Sequence, residues 1–255
     1  MNRDKQEGTV AVDGMERGSW MKECGKRALQ FLPQDAGRAM LGRFFPENLR
    51  RLAQRRQDEL GPLDRHHCIF VHVPKCAGTA ISECLFGKVG GHYSIRYYRY
   101  MYSRAEMDAC FKFTFVRNPW DRVVSAYHYL REPGRVGADL RWRDAHLARF
   151  AGFEEFVLTG LRRREVQDWL HFVPQWDFLS VPWSSKPQVD FIGHFETMEQ
   201  DFAAVAARLG LAASLEVRNS TKSRDRDYRR YYTAASRRVV ESVYARDIRA
   251  LGYEF

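Results

Sequence analysis

The chain has 255 residues, 45% of them hydrophobic and 29% charged, with a formal net charge of +9. Six Trp, twelve Tyr and seventeen Phe exclude a disordered chain and supply the core of one α/β domain with appendages. Cys24, Cys68, Cys76, Cys84 and Cys110 form no C-x-x-C pattern, and the eight histidines form no H-x-x-x-H pair, so neither a disulfide framework nor a bound metal is expected.

Residues 1–18 are polar and glycine-containing, the composition of a flexible tail. Residues 19–62 read as a helical arm in two or three pieces, broken near Pro33 and Pro46. Its apolar residues alternate with Lys and Arg. One reading is a basic amphipathic arm making peripheral contact with an acidic membrane through residues 19–60. The favoured reading is an arm packed on the domain or on a dimer mate. No run approaches 18 apolar residues, and the expectation is a soluble, cytoplasmic protein.

The remaining residues, 63–255, carry the chemistry. His67 to Val73 is an apolar run with the composition of a strand buried on both faces, and Pro74 ends it. Lys75 to Thr79 form a loop, and Thr79 to Phe86 a helix closed by Gly87. A helix opening just after a strand aims free N–H groups and its positive dipole end above the sheet edge, where an anion can bind. Gly78 allows close backbone approach, Thr79 adds a hydroxyl and Lys75 a mobile charge. The lysine precedes the glycine, so this is not the Walker A pattern. The alternative is a buried strand followed by an ordinary turn.

A second strand, Phe111 to Val116, runs into Arg117-Asn118-Pro119 and a helix that buries Val123, Val124, Tyr127 and Leu130. Two parallel strand–loop–helix units present both loops at one carboxyl edge, where open α/β sheets bind ligands. Arg117 offers a planar fork and Ser125 a hydroxyl for a second phosphate. The alternative is a local Arg117–Asp121 salt bridge.

HVPKCAGTAI followed by FVRNPWDRVVSAYHYL resembles the carbohydrate sulfotransferases, in particular the heparan-sulfate 2-O- and chondroitin-type branch and its bacterial relatives. The resemblance implies a P-loop-like three-layer α/β domain with a central, mostly parallel sheet flanked by helices. It also implies that the co-substrate is 3′-phosphoadenosine 5′-phosphosulfate (PAPS), with no metal. Lys75, Cys76, Ala77, Gly78, Thr79 and Ala80 would hold the 5′-phosphosulfate, with Cys76 standing where threonine is usual. Arg117 and Ser125 would hold the 3′-phosphate, and Arg218, Asn219 and Ser220 match the family's loop that closes over the nucleotide. Animal relatives carry a membrane anchor, for which this sequence offers no candidate.

Between the two grips, a Gly90-Gly91 turn leads into His92 and a segment rich in Tyr and Arg, which suits stacking or an ordinary half-buried surface. The tetrapeptide GHYS resembles the family segment whose histidine is the catalytic base, which makes His92 the candidate base. Should His92 not be the base, an acidic residue between Arg131 and Asp168 is the expected substitute. WLHFVPQWDFL resembles the family's P-Q-x-x-[FY]-[LI] segment and implies that Gln175 lies near the acceptor. Trp169, Trp176 and Trp183 would line a sugar groove or pack in the core.

Val189 to Phe195 reads as a third strand, followed by a helix to Leu209, with no chemistry assigned to Glu196. Thr233 is placed to cap one long C-terminal helix. Residues 218–249 hold ten Lys or Arg against four Asp or Glu, but no nucleic-acid-binding module accompanies them. The expected function is sulfuryl transfer from PAPS to a hydroxyl of a carbohydrate or glycolipid, giving 3′,5′-adenosine bisphosphate (PAP), with Lys75 and His92 catalytic. The alternatives are a P-loop-like kinase, for which a Walker lysine and a Mg²⁺ carboxylate are missing, and a non-enzymatic anion-binding module.

Overall fold

A computed structural model describes residues 34–44, 46–87, 90–134, 136–215 and 227–255. The tail, the first part of the arm and the Arg218-Asn219-Ser220 loop lie outside the described residues. In chain order the structure runs α1 (Gln34–Phe44), α2 (Pro46–Arg65), β1 (Cys68–Val71), α3 (Gly78–Phe86), α4 (Ile95–Met101), α5 (Arg104–Ala109) and β2 (Phe111–Val116). It continues with α6 (Pro119–Arg131), α7 (Gly137–Trp142), α8 (Phe153–Glu155), α9 (Arg164–Gln167), α10 (Gln175–Leu179), β3 (Phe191–His194), α11 (Met198–Arg208), α12 (Ala234–Val243) and α13 (Ala245–Leu251).

The three strands form one parallel sheet in the order β1-β2-β3, with Phe70 opposite Phe113 and Thr114 opposite Ile192. The sheet is parallel, as expected, because each strand returns through helical connections rather than a hairpin. β1 is wholly buried, and the Tyr98 hydroxyl from α4 donates to the Phe70 carbonyl at 2.8 Å. Thr114 in β2 donates its hydroxyl to the Val71 carbonyl at 2.7 Å, tying the carboxyl ends of the first two strands together. The first loop starts there.

Two apolar clusters fill the interior. One joins β1 and β2 to α2, α3, α4, α10 and α11, and the other is built on α6, Trp142, Phe150 to Leu161 and α12. Leu41, Leu52, Leu60 and Leu63 bury the apolar stripe of the arm in the first cluster. Gln34 and Arg38 donate to the carbonyls of Tyr102 and Tyr100, and Arg56 pairs with Asp64 and Glu106. From Gln34 onward the arm is therefore packed on the domain.

Several boundaries differ from expectation: β1 and β3 are shorter than the runs His67–Val73 and Val189–Phe195, and three helices depart as well. α2 runs through Pro62 to Arg65, burial of Leu60 and Leu63 offsetting the roughly 3 kcal/mol that an internal proline costs. The helix at Thr79 begins one residue earlier and ends at Gly87, whose φ of 65° is the left-handed stop that glycine permits. The long C-terminal helix is two: Thr233 makes a capping box with Ser236 over α12, and the chain breaks at Tyr244, whose hydroxyl donates to the Phe172 carbonyl at 2.7 Å.

Candidate active site

β1 ends at Val71, and two non-glycine residues of the loop that follows, Lys75 (φ 70°) and Ala77 (φ 59°), adopt left-handed backbone. Such residues cost of order 1 kcal/mol each and persist where the surroundings over-determine them, often at functional sites. Ala77, the N-cap of α3, makes no side-chain cap to the first turn of the helix. Thr79 and Ala80, in its first turn, are exposed. A helix start of this kind offers N–H groups whose hydrogen bonds an anion could accept.

Gly78 answers a further demand besides the one expected. A Cβ there would lie 2.0 Å from Cδ2 of His72, so it is the His72 imidazole that needs the bare backbone. His72 is buried and stacked on Phe70, and burial, with His92 next in importance, lowers its pKa to about 3. Its carbonyl lies 3.0 Å from Nδ1 of His92, and the two rings are 4.0 Å apart. If Nδ1–H donates to that carbonyl, the Nε2 lone pair of His92 is left to act as a base. Burial holds the His92 pKa below the ordinary histidine value, and the nearby His171 and Lys75 act in the same direction.

Lys75 reaches Tyr129, and through it Asp139 and His171, none of which sequence reasoning had joined to it. Its Nζ lies 3.6 Å above the ring of Tyr129, from the last turn of α6. The Tyr129 hydroxyl donates to Oδ2 of Asp139 at 3.1 Å, and His171 Nε2 lies 3.1 Å from Oδ1 of the same carboxylate. Asp139 falls within the acidic stretch named as the substitute source of a base, but its oxygens are engaged with both rings. Burial leads the lowering of the His171 pKa, opposed by Asp139.

At the second loop, Arg117 is 4% exposed and held by Asp121, with Nε–H at 2.7 Å and Nη2 at 2.6 Å from Oδ2. The local salt bridge is formed. It does not exhaust the guanidinium, because Nη1 donates to the Lys75 carbonyl at 3.1 Å and so ties the two loops together. Ser125 is buried in α6, one helical turn before Tyr129.

Gln175, expected beside the acceptor, is instead wholly buried. Its amide accepts from Arg117 N–H at 2.9 Å and donates to the Arg117 carbonyl at 2.8 Å, while the Cys76 thiol approaches the same Oε1 at 3.3 Å. A side chain whose donors and acceptors are spent on the backbone of the second loop braces that loop. Burial raises the Cys76 pKa to about 12, so this residue is an inert packing group. Trp169 is half-buried and stacked on Trp142, Trp176 is buried, and Trp183 is half exposed beneath Arg99.

Asp247 and Arg122 complete the brace; Asp247 stands in the chain's family-like ending, and no role was assigned to either from sequence. Asp247 accepts from the N–H groups of Gln175 and Trp176 at 2.8 and 2.9 Å, while Arg122 donates to the carbonyls of His171 and Val173. Glu196, to which no chemistry was assigned, accepts from Asn118 N–H at 2.7 Å and so supports the second loop. Asp247→Ala would orphan two buried N–H groups and should cost on the order of 3 kcal/mol, or roughly 6–12 °C in melting midpoint. Thermal denaturation checks this; an unchanged midpoint would show that the 171–176 segment is held by other contacts.

A family model described as "Sulfotransferase family" matches residues 63–254. This chain belongs to the sulfotransferase family. An uncharacterized protein of Archaeoglobus fulgidus is 34% identical to it over 123 residues, which cover 48% of this chain and 86% of that protein. No solved structure matches it. In this sulfotransferase the matched region holds the sheet, both loops and the Lys75–Tyr129–Asp139–His171 cluster, whereas α1 and most of α2 lie before it. Among the described residues no group of three or more His, Cys, Asp or Glu side chains is gathered to hold a metal ion. Nor is any described helix long and apolar enough to cross a membrane.

Proposed function

We propose that this sulfotransferase moves a sulfuryl group from PAPS to a hydroxyl of a carbohydrate or glycolipid acceptor, releasing PAP. The observation that carries the reading is the convergence of a lysine, an uncapped helix N-terminus and a histidine on one end of β1. Lys75 leaves the loop beside the open end of α3, and His92 is bonded to the residue that follows β1. The residues present fit an anionic phosphosulfate: a cation, main-chain donors at a helix start and the exposed Thr79 hydroxyl.

PAPS, as the substrate, supplies the sulfuryl group. Lys75 and the first N–H groups of α3 balance the charge that grows on the phosphate oxygen as its bond to sulfur breaks. Nε2 of His92 takes the acceptor proton as that hydroxyl oxygen bonds to sulfur. Positioning in line accounts for most of the remaining acceleration. Arg117 and Ser125 are assigned to the 3′-phosphate, with Arg117 shared between that group and Asp121. Arg218, Asn219 and Ser220 are assigned to the loop over the nucleotide, and the acceptor enters from the side of His92.

Because the balancing charges belong to the chain, transfer should persist in EDTA. Incubation with sulfur-labelled PAPS and a panel of polysaccharides, glycolipids and simple alcohols should move label to an acceptor and release PAP, with or without chelator. Activity abolished by EDTA and restored by metal would overturn this reading in favour of a metal-dependent one.

A further inference from the structure

We propose that Tyr129 is the positioning residue for Lys75, its ring held in place by Asp139 and His171. The inference rests on the assignment of Lys75 to the reaction, and it concerns a residue outside both nucleotide loops. A lysine ammonium on four methylenes has many rotamers, and ordering them costs free energy each time the side chain must point at one oxygen. Here the ammonium lies 3.6 Å above the Tyr129 ring, within the range of a cation–π contact.

The ring is itself fixed. Its hydroxyl donates to Oδ2 of Asp139, whose Oδ1 faces Nε2 of His171, and the Tyr129 and His171 rings lie 4.9 Å apart. One carboxylate thus orients two rings that come from different parts of the chain. His171 is in turn anchored by its carbonyl to the buried Arg122. Tyr129 also sits one helical turn after Ser125 on α6, so the helix assigned to the 3′-phosphate holds the lysine assigned to the 5′ end.

A cation–π contact is weaker than a charge-assisted hydrogen bond to phosphate, so it can hold Lys75 in place without retaining it when an anion arrives. Removing the ring should let the ammonium wander and lower the fraction of encounters that are productive. Tyr129→Leu should therefore reduce kcat about 3- to 30-fold, the range open to a desolvated cation–π contact, with little change in KM for PAPS. Tyr129→Phe keeps the ring face and should recover most of that loss.

Two measurements on the full chain test this. In lysine-labelled protein, the ε-methylene resonance of Lys75, assigned by its loss in Lys75→Ala, should lie upfield of an exposed lysine. It should stay there in Tyr129→Phe and return to the exposed position in Tyr129→Leu. In the kinetic cycle, Tyr129→Leu should cost nothing further once Lys75 is already alanine. An unshifted resonance in the wild type, or a Tyr129→Leu loss of the same size in both backgrounds, would overturn the proposal while leaving PAPS transfer standing. If the wild type transfers nothing from PAPS, the functional reading fails instead, and the resonance still decides whether Tyr129 holds Lys75.

Discussion

Lys75→Ala should lower kcat by about 10²- to 10³-fold while raising KM for PAPS far less, because its charge is needed most where the bridging oxygen becomes anionic. The geometry favours this split. Lys75 leaves a strained loop position two residues before Ala77, the N-cap of α3, and its ammonium lies over the Tyr129 ring, while the first amides of α3 would remain in its absence. Steady-state kinetics at saturating acceptor read both constants. A rise in KM with kcat preserved would make Lys75 an anchor that binds ground and transition states alike.

The largest effect is expected at His92. His92→Ala or His92→Asn should lower turnover on the order of 10²- to 10⁴-fold, the contribution of a positioned general base, and leave PAP affinity nearly unchanged. The pH dependence follows from the direction of the shift. Burial depresses the His92 pKa below its ordinary 6.5, so the ring is neutral and able to accept a proton at pH 7. The acid limb of the kcat profile should accordingly fall below pH 6.5 and vanish from the residual activity of the variants. A wild-type-like kcat in both variants would show that the base is not His92 and turn the search to the acidic residues between Arg131 and Asp168.

The parts of the site that were legible in the sequence are those written in adjacent residues. β2 was read at its observed bounds, because a short apolar run ends at Arg117-Asn118-Pro119, a strand stop and a helix start in three residues. The first loop was legible because Pro74 and Gly87 bracket it. What the sequence did not disclose depends on pairs far apart in the chain. Tyr129, Asp139 and His171 span 42 residues and meet only because α7 and the turn before α10 both fold onto the end of α6. Asp139 had been anticipated only as one of several acidic residues between Arg131 and Asp168.

Gln175 illustrates the opposite error. A motif neighbour placed it by the acceptor, yet an amide side chain can satisfy both the N–H and the carbonyl of one residue, and here it does so for Arg117. Its partner Asp247 lies 72 residues on, and nothing local tells that it bonds to the Gln175 backbone. Gly78, read as clearance for a phosphate, also makes room for the His72 ring, which no local pattern announces. In each case the missing information was a long-range contact that no spacing rule encodes.

The central claim is a site for a nucleotide with phosphate at both the 3′ and 5′ positions, and it can be tested without knowing the acceptor. Calorimetric titration of the full chain with PAP and with 5′-AMP compares the two ligands directly. A charge-assisted hydrogen bond contributes about 1.5–3 kcal/mol, so PAP should bind roughly 10- to 100-fold more tightly than 5′-AMP, and Arg117→Ala should erase most of that difference. Equal affinity for PAP and 5′-AMP in the wild type would contradict the account.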